Sequence, residues 1–191
     1  MAHVVYLIHG FNVKDDGAET VDTVRGHLES YGYKVVDIDY GWFQRLRVRL
    51  CNKALAKVLS SLVKPGSTCI AHSNGGALAY LACEFGAPFK NVILVNPALD
   101  SNKALASQVK NIQVWFCPHD NWTGLSKFIP NSIWGAQGRT GYTGYPDDRY
   151  TNINEEKEFG RLKDEHSGIW HSELTRKSFV DKVHAMIKEN K

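Results

Sequence analysis

Residues 69–76, CIAHSNGG, carry an apolar run into a serine and then into two glycines. The run before Ser73 predicts a buried strand, and the alanine-rich segment from about Gly75 to Phe85 predicts a helix. A serine between two such elements lies on a sharp turn, where the residues two before and two after it must be small. Ala71 and Gly75 meet that requirement. The stretch therefore predicts a tight turn from strand to helix, although Ser73 could also serve as a plain helix N-cap.

Apolar runs of strand character recur on both sides of this turn and alternate with helical patterns. The six predicted strands are VVYLI (4–8), KVVDIDY (34–40), TCIAHS (68–73), NVILVNP (91–97), IQVWFCP (112–118) and RYTNI (149–153). Apolar residues recur at helical spacing between Asp16 and Tyr31, between Leu46 and Leu62, and again in the C-terminal segment. Because each parallel crossover needs a segment that spans the sheet, the order predicts an α/β fold: a doubly wound, mainly parallel sheet of about six strands.

The composition and the terminal and cysteine patterns are typical of a single-domain globular protein. A chain of 191 residues, 43% hydrophobic, fits a single domain over residues 1–191. The 23 basic and 20 acidic residues are too balanced to indicate nucleic-acid binding. The N-terminus lacks the pattern of a signal peptide and no apolar run reaches membrane-spanning length, so we expect a cytoplasmic protein with no stable membrane insertion. The four cysteines are widely spaced in apolar segments, which predicts reduced core thiols: Cys51, Cys69, Cys83 and Cys117.

Two further segments complete a recognisable pattern around Ser73. The first strand ends in His9-Gly10-Phe11, and His166-Ser167-Gly168 occurs late in the chain. With the turn at Ser73, these segments resemble the oxyanion loop, the nucleophile elbow and the histidine loop of α/β-hydrolases, with alanine at position 71 where glycine is usual. The resemblance implies that Ser73 is the nucleophile and that backbone N–H groups of Phe11 and Asn74 form the oxyanion hole. The segments WGAQGRTGYTGY, DDRYTNIN and HSGIW also look similar to small uncharacterised hydrolases encoded by bacteriophages.

In such hydrolases an acid and then a histidine follow the serine along the chain. Asp120 follows the strand 112–118, and the resemblance implies that it orients His166 as the general base. Asp100, after the preceding strand, is the alternative acid, and Asp120 could also merely cap a helix from Asn121 to Phe128. His171 is the alternative histidine, although it is expected to begin or precede the last helix.

The resemblance implies a carboxylic-ester hydrolase that works through an acyl-enzyme on Ser73 and needs no cofactor. The same groups also cleave thioesters and amides, and a non-catalytic binding module could retain the fold. The chain contains no GxxxxGK loop, HExxH motif or close Cys/His cluster, so no metal or nucleotide cofactor is expected. The expected partner is a small-molecule ester, and a homo-oligomer is possible.

Three features of the sequence could bear on the substrate. Only about 16 residues separate Asn96 from Ile112, too few for a full cap domain, so we expect an open site suited to a short or polar acyl group. The glycine- and aromatic-rich stretch 134–148 is expected to be a loop. Three of its aromatic residues could contact substrate, pack in the core or form a self-association patch: Trp134, Tyr142 and Tyr145. Five basic residues are expected to form a solvated helix face, with attraction of an anionic substrate or a membrane surface as the alternative: Arg45, Arg47, Arg49, Lys53 and Lys57.

Overall fold

A computed structural model of the chain describes residues 2–10, 19–38, 45–126 and 133–189, with the backbone alone for residues 45–51 and 124–126. Six strands form one sheet in the order β2-β1-β3-β4-β5-β6, and every neighbouring pair is parallel. The strands are β1 Val4–Ile8, β2 Lys34–Ile38, β3 Thr68–His72, β4 Asn91–Val95, β5 Asn111–Phe116 and β6 Tyr150–Asn154. The predicted mainly parallel sheet of about six strands is therefore confirmed. The predicted end of β2, residues 39–40, lies outside the described residues.

Helices cover both faces of this sheet. They are α1 Arg25–Ser30, α2 Arg45–Leu62, α3 Asn74–Glu84, α4 Asn121–Ser126, α5 Gln137–Thr140, α6 Glu155–Phe159 and α7 Glu173–Glu189, with short 3-10 helices at Val21–Val24 and Gly168–Trp170. Helix α2 packs on α3, and α1 packs on α7. Successive residues of a strand point to opposite faces, so Tyr6 and Ile8 join the core under α2 and α3, whereas Val5 and Leu7 join the core under α1 and α7. The fold is doubly wound, as predicted.

The central strands explain why the order of elements could be predicted. β1, β3 and β4 are buried at every residue, which is why their sequences are apolar without alternation. The predicted inner face of the last helix is also confirmed, because four residues of α7 are buried: Phe179, Val183, Met186 and Ile187. Residues 96–110, between β4 and β5, contain no helix or strand, in line with the expected lack of a cap in that interval.

Two helices differ from their predicted form. The helix expected from Asp16 is a 3-10 turn followed by the short α1, and its start lies outside the described residues. On α2 the apolar stripe predicted between Leu46 and Leu62 is correct only in part. Leu59 is buried and Leu55 packs against the core, whereas Val58 and Leu62 are exposed. The leucines Leu46 and Leu50 of that stripe have no described side chains.

The stretch 134–148 is not wholly a loop, because it contains the one-turn helix α5. Its backbone is held by tertiary contacts: the N–H groups of Gln137 and Gly138 donate to the carbonyls of Leu99 and Pro97. A Cβ on Gly138 would lie 2.6 Å from the carbonyl carbon of Asn96, so only glycine allows this approach. No periodicity in the sequence could indicate a helix that is fixed in this way.

Other predictions concern cysteines and surface charge. Cys69, Cys83 and Cys117 are buried and free, and burial raises the pKa of Cys83 to about 12 and that of Cys117 to about 11. The side chain of Cys51 lies outside the described residues. Of the predicted basic face, Lys53 and Lys57 are exposed, and the side chains of Arg45, Arg47 and Arg49 lie outside the description. None of the helices described here is long and apolar enough to cross a membrane.

Candidate active site

Ser73 occupies a strained turn between the last residue of β3 and the first residue of α3. Its backbone has φ 55° and ψ −123°, a region that residues other than glycine rarely adopt and that costs about 1–3 kcal/mol. The surroundings enforce this conformation. A Cβ on Gly75 would lie 2.5 Å from the carbonyl oxygen of Ile8, so α3 packs too closely against β1 for any larger residue. Ala71, on the other side of the turn, is fully buried. The predicted requirement for small residues at these two positions is confirmed.

Ser73, His166 and Asp120 form a hydrogen-bonded chain at the carboxyl edge of the sheet. Ser73 Oγ lies 3.0 Å from His166 Nε2, and His166 Nδ1 lies 2.8 Å from Asp120 Oδ2. The serine is 7% exposed and the carboxylate is completely buried. In this arrangement Nδ1–H donates to the carboxylate, which leaves Nε2 as an acceptor facing the serine hydroxyl. The three side chains are thus arranged so that the imidazole can take the proton of Ser73.

Asp120 uses its two oxygens for two different tasks. Oδ1 accepts hydrogen bonds from the backbone N–H groups of Trp122 and Thr123, which caps α4, and Oδ2 accepts from His166. The geometry is therefore compatible with both interpretations of Asp120 from the sequence, because a different oxygen makes each set of contacts. The predicted end of the capped helix at Phe128 lies outside the described residues. Asp100 caps its own turn instead, with Oδ1 accepting from the N–H of Asn102.

The loop that carries His166 is fixed from both sides of that residue. Asp164 Oδ1 accepts from the N–H groups of His166 and Ser167, an Asx turn that sets the direction of the chain. The carbonyl oxygen of His166 lies 3.0 Å from both His72 Nε2 and Asn96 Nδ2. Desolvation, together with the nearby His166, lowers the pKa of His72 to about 3, so this ring is neutral and donates from Nε2. His171 is partly exposed and precedes α7, as expected.

One of the two predicted oxyanion donors, Asn74, lies directly beside Ser73. Asn74 begins α3, so its backbone N–H is at the positive end of the helix dipole, directly after the serine. Gly10 approaches from β1, since a Cβ on it would lie 3.0 Å from Ser73 Cβ. The second predicted donor, Phe11, lies outside the described residues. The side chain of Asn74 holds the first turn of α3 in place, because Asn74 Oδ1 accepts from Asn52 Nδ2 and Trp134 Nε1.

The three predicted substrate-contacting aromatics do not share one place. Trp134 is partly buried and tied to Asn74, next to Ser73. Tyr142 is buried and stacks on Tyr150 with ring centroids 3.8 Å apart, at the end of β6 remote from the Ser73–His166–Asp120 chain. Tyr145 is 90% exposed, and its carbonyl accepts from the Tyr142 hydroxyl. The structure therefore brings only Trp134 to the candidate site.

A second buried carboxyl group lies beside Asp120 and was not singled out from the sequence. Glu155 is the first residue of α6 and is fully buried. Burial, reinforced by the negative charges of Asp120 and Asp164, raises its pKa from 4.5 to about 8, although the hydrogen bond from Asn96 opposes this shift. Glu155 is thus protonated at neutral pH. Glu155 belongs to the polar run NEEKEF, and nothing in that run distinguishes it from the other two glutamates, Glu156 and Glu158.

The raised pKa of Glu155 predicts a stability that falls as pH rises. Between pH 4.5 and about 8 the unfolded chain is ionised at this residue while the folded chain keeps the proton. The free energy of unfolding then decreases by up to about 1.4 kcal/mol per pH unit. Glu155→Gln stays neutral, so we expect it to be more stable than the wild type at pH 8, with most of this gain absent at pH 4.5.

Urea unfolding at those two pH values measures the difference. Glu84→Gln is the matched control, because Glu84 is exposed at the end of α3. An equal effect of Glu155→Gln at both pH values would contradict the raised pKa.

Comparisons with known proteins concern the fold. No protein-family model and no curated protein sequence matches the chain. A solved structure described as a hydrolase of the alpha/beta superfamily, from Xanthomonas campestris pv. campestris, is similar, with a TM-score of 0.53, 18% identity and coverage of 96% of this chain and 99% of that one. Lipase B of Aspergillus fumigatus has a TM-score of 0.56 and 14% identity over 96% of this chain, which spans 52% of the lipase.

Both similarities cover nearly all of this chain, and both extend over the parallel sheet and the helices on its two faces. Within the described residues, no group of three or more His, Cys, Asp or Glu side chains is arranged to hold a metal ion. The sheet order, the strained serine turn after β3 and these structural similarities together show that the chain has the α/β-hydrolase fold.

Proposed function

We propose that the protein is a serine hydrolase that cleaves carboxylic esters through an acyl-enzyme on Ser73. The observation that carries the proposal is the hydrogen-bonded chain from Ser73 through His166 to the buried Asp120, with distances of 3.0 Å and 2.8 Å. A structural serine does not need a strained backbone, a histidine on its hydroxyl and a carboxylate behind that histidine. The solved structures of similar fold are described as a hydrolase and a lipase, in agreement with this class.

Each side chain has a defined part in the proposed reaction. His166 Nε2 removes the proton as Ser73 Oγ attacks the carbonyl carbon, because a neutral hydroxyl is a poor nucleophile. Asp120 holds the ring in the required tautomer and stabilises the imidazolium that forms. The Asn74 N–H donates to the negative oxygen of the tetrahedral intermediate, and His166 then protonates the leaving alcohol. Water, activated by the same imidazole, releases the acid from Ser73.

The proposed acyl group is short or polar. The interval 96–110 contains no helix that could cover the site, so this side supplies no apolar tunnel for a long chain. We expect kcat/KM to be highest for para-nitrophenyl acetate and butyrate and to fall by about tenfold or more for the octanoate and laurate.

Initial rates over that ester series test the proposal, with Ser73→Ala as the blank for spontaneous hydrolysis. Equal rates for the wild type and Ser73→Ala on every ester would contradict a serine hydrolase. A preference for laurate, or activity on a triglyceride emulsion, would contradict only the short acyl group.

A further inference from the structure

A hydrogen bond between Asn96 and Glu155 links the carboxyl ends of β4 and β6 beneath the loop that carries His166. Asn96 directly follows β4, Glu155 directly follows β6, and both are completely buried. Asn96 Nδ2 lies 2.9 Å from Glu155 Oε1 and 3.0 Å from the carbonyl oxygen of His166. One amide nitrogen therefore links the buried carboxyl group to the backbone of the histidine. No other part of the proposed reaction uses either side chain.

The backbone of Asn96 indicates that its orientation is enforced. Its φ of 43° lies in the left-handed region, where Asn is the most tolerant residue after glycine. The backbone of Asn96 also packs closely against Gly138, where a Cβ would lie 2.6 Å from the Asn96 carbonyl carbon. Ser73 and Asn96 are the two non-glycine residues with positive φ in the described part of the chain. The two strained residues thus lie at the carboxyl ends of neighbouring strands, one bearing the nucleophile and the other contacting the histidine.

A neutral Glu155 suits this position. The carboxyl group lies beside the buried Asp120, and an ionised Glu155 would place a second negative charge there. Within the described residues, Glu155 Oε2 and Asn96 Oδ1 are both buried without a hydrogen-bond partner. A protonated carboxyl group carries a donor, and the amide oxygen is an acceptor, so the neutral pair is chemically complementary. Asp120 is then left as the carboxylate that faces the imidazole.

We propose that Asn96 and Glu155 are positioning residues for His166. Glu155 fixes the Asn96 amide, and that amide holds the His166 carbonyl so that the imidazole stays between Ser73 and Asp120. The inference rests on the proposed function, because it assigns these residues to the same reaction. Both act through His166 and neither contacts the substrate.

The decisive variant is Asn96→Gly, because glycine accepts the positive φ and removes only the amide. With para-nitrophenyl acetate we expect kcat to fall about 10- to 100-fold while KM changes less than about twofold, since misplacing a catalytic group by about 1 Å has effects of this size. Glu155→Met removes the acceptor and should act in the same direction. Glu155→Gln keeps a neutral acceptor and should restore most of kcat.

Asn91→Ala is the matched control, because Asn91 is a buried, hydrogen-bonded asparagine on the same strand at its opposite end. Thermal melts of every variant separate loss of structure from loss of rate. Wild-type kcat in a folded Asn96→Gly, or an equal loss of kcat in Asn91→Ala, would overturn the positioning role. Should Glu155→Met fail to fold, Asn96→Gly and Glu155→Gln still decide it. Wild-type protein whose Ser73 fails to react with a fluorophosphonate would instead overturn the proposed function.

Discussion

Ser73→Ala is expected to lower kcat on para-nitrophenyl acetate by about 10⁴-fold or more, while the protein remains folded. The alanine lacks the hydroxyl that His166 Nε2 faces at 3.0 Å, so no acyl-enzyme can form. Residual turnover would come only from binding and from the backbone donors, as in serine hydrolases that lack their nucleophile. The alanine keeps the Cβ and the strained backbone, so the melting temperature should change little.

Steady-state kinetics with circular dichroism checks this expectation. Ser61→Ala is a suitable control, because its hydroxyl only donates to the Val58 carbonyl on the exposed side of α2. A Ser73→Ala variant that retains more than about a tenth of wild-type kcat would show that the observed hydrolysis does not use this serine.

Asp120→Asn is expected to lower kcat by about 10⁴-fold with little loss of stability. The carboxamide places an N–H where Oδ2 accepts from His166 Nδ1, which favours the ring tautomer that carries its proton on Nε2. Such a ring cannot take the proton of Ser73. Asn caps helices about as well as Asp, so the bonds from Trp122 and Thr123 to the cap should survive.

Asp120→Ala separates the two tasks of this carboxylate. It should lose the rate and, in addition, about 1 kcal/mol of stability from the cap of α4. Kinetics and urea unfolding measure both quantities. If Asp120→Asn remained within about tenfold of the wild-type kcat, Asp120 would only be a helix cap.

The sheet could be predicted because burial on both faces leaves a clear mark on the sequence. β1, β3 and β4 are buried at every residue, so each contains a continuous apolar run between helical patterns. Helix α5 could not be predicted, since tertiary backbone bonds at Gln137 and Gly138 fix it. The position of Tyr142 was equally hidden, because its stacking on Tyr150 depends on the register of β6.

The candidate site was predictable where the chain order follows the sheet. Ser73, Asp120 and His166 lie up to 93 residues apart, yet each follows a strand, and parallel strands place their carboxyl ends at one edge. Asn96 and Glu155 follow strands as well. They were missed because burial, positive φ and the raised pKa of Glu155 arise only when β4, β5 and β6 are packed together.

The most direct test of an activated serine is intact-mass measurement after treatment with a fluorophosphonate probe, on the wild type and on Ser73→Ala. The account predicts one probe adduct on each wild-type chain and no adduct on the folded variant. Among the serines that the structure describes, Ser73 alone faces a histidine that is oriented by a buried carboxylate. A well-folded wild type that takes up no probe, or a variant labelled as fully as the wild type, would contradict it.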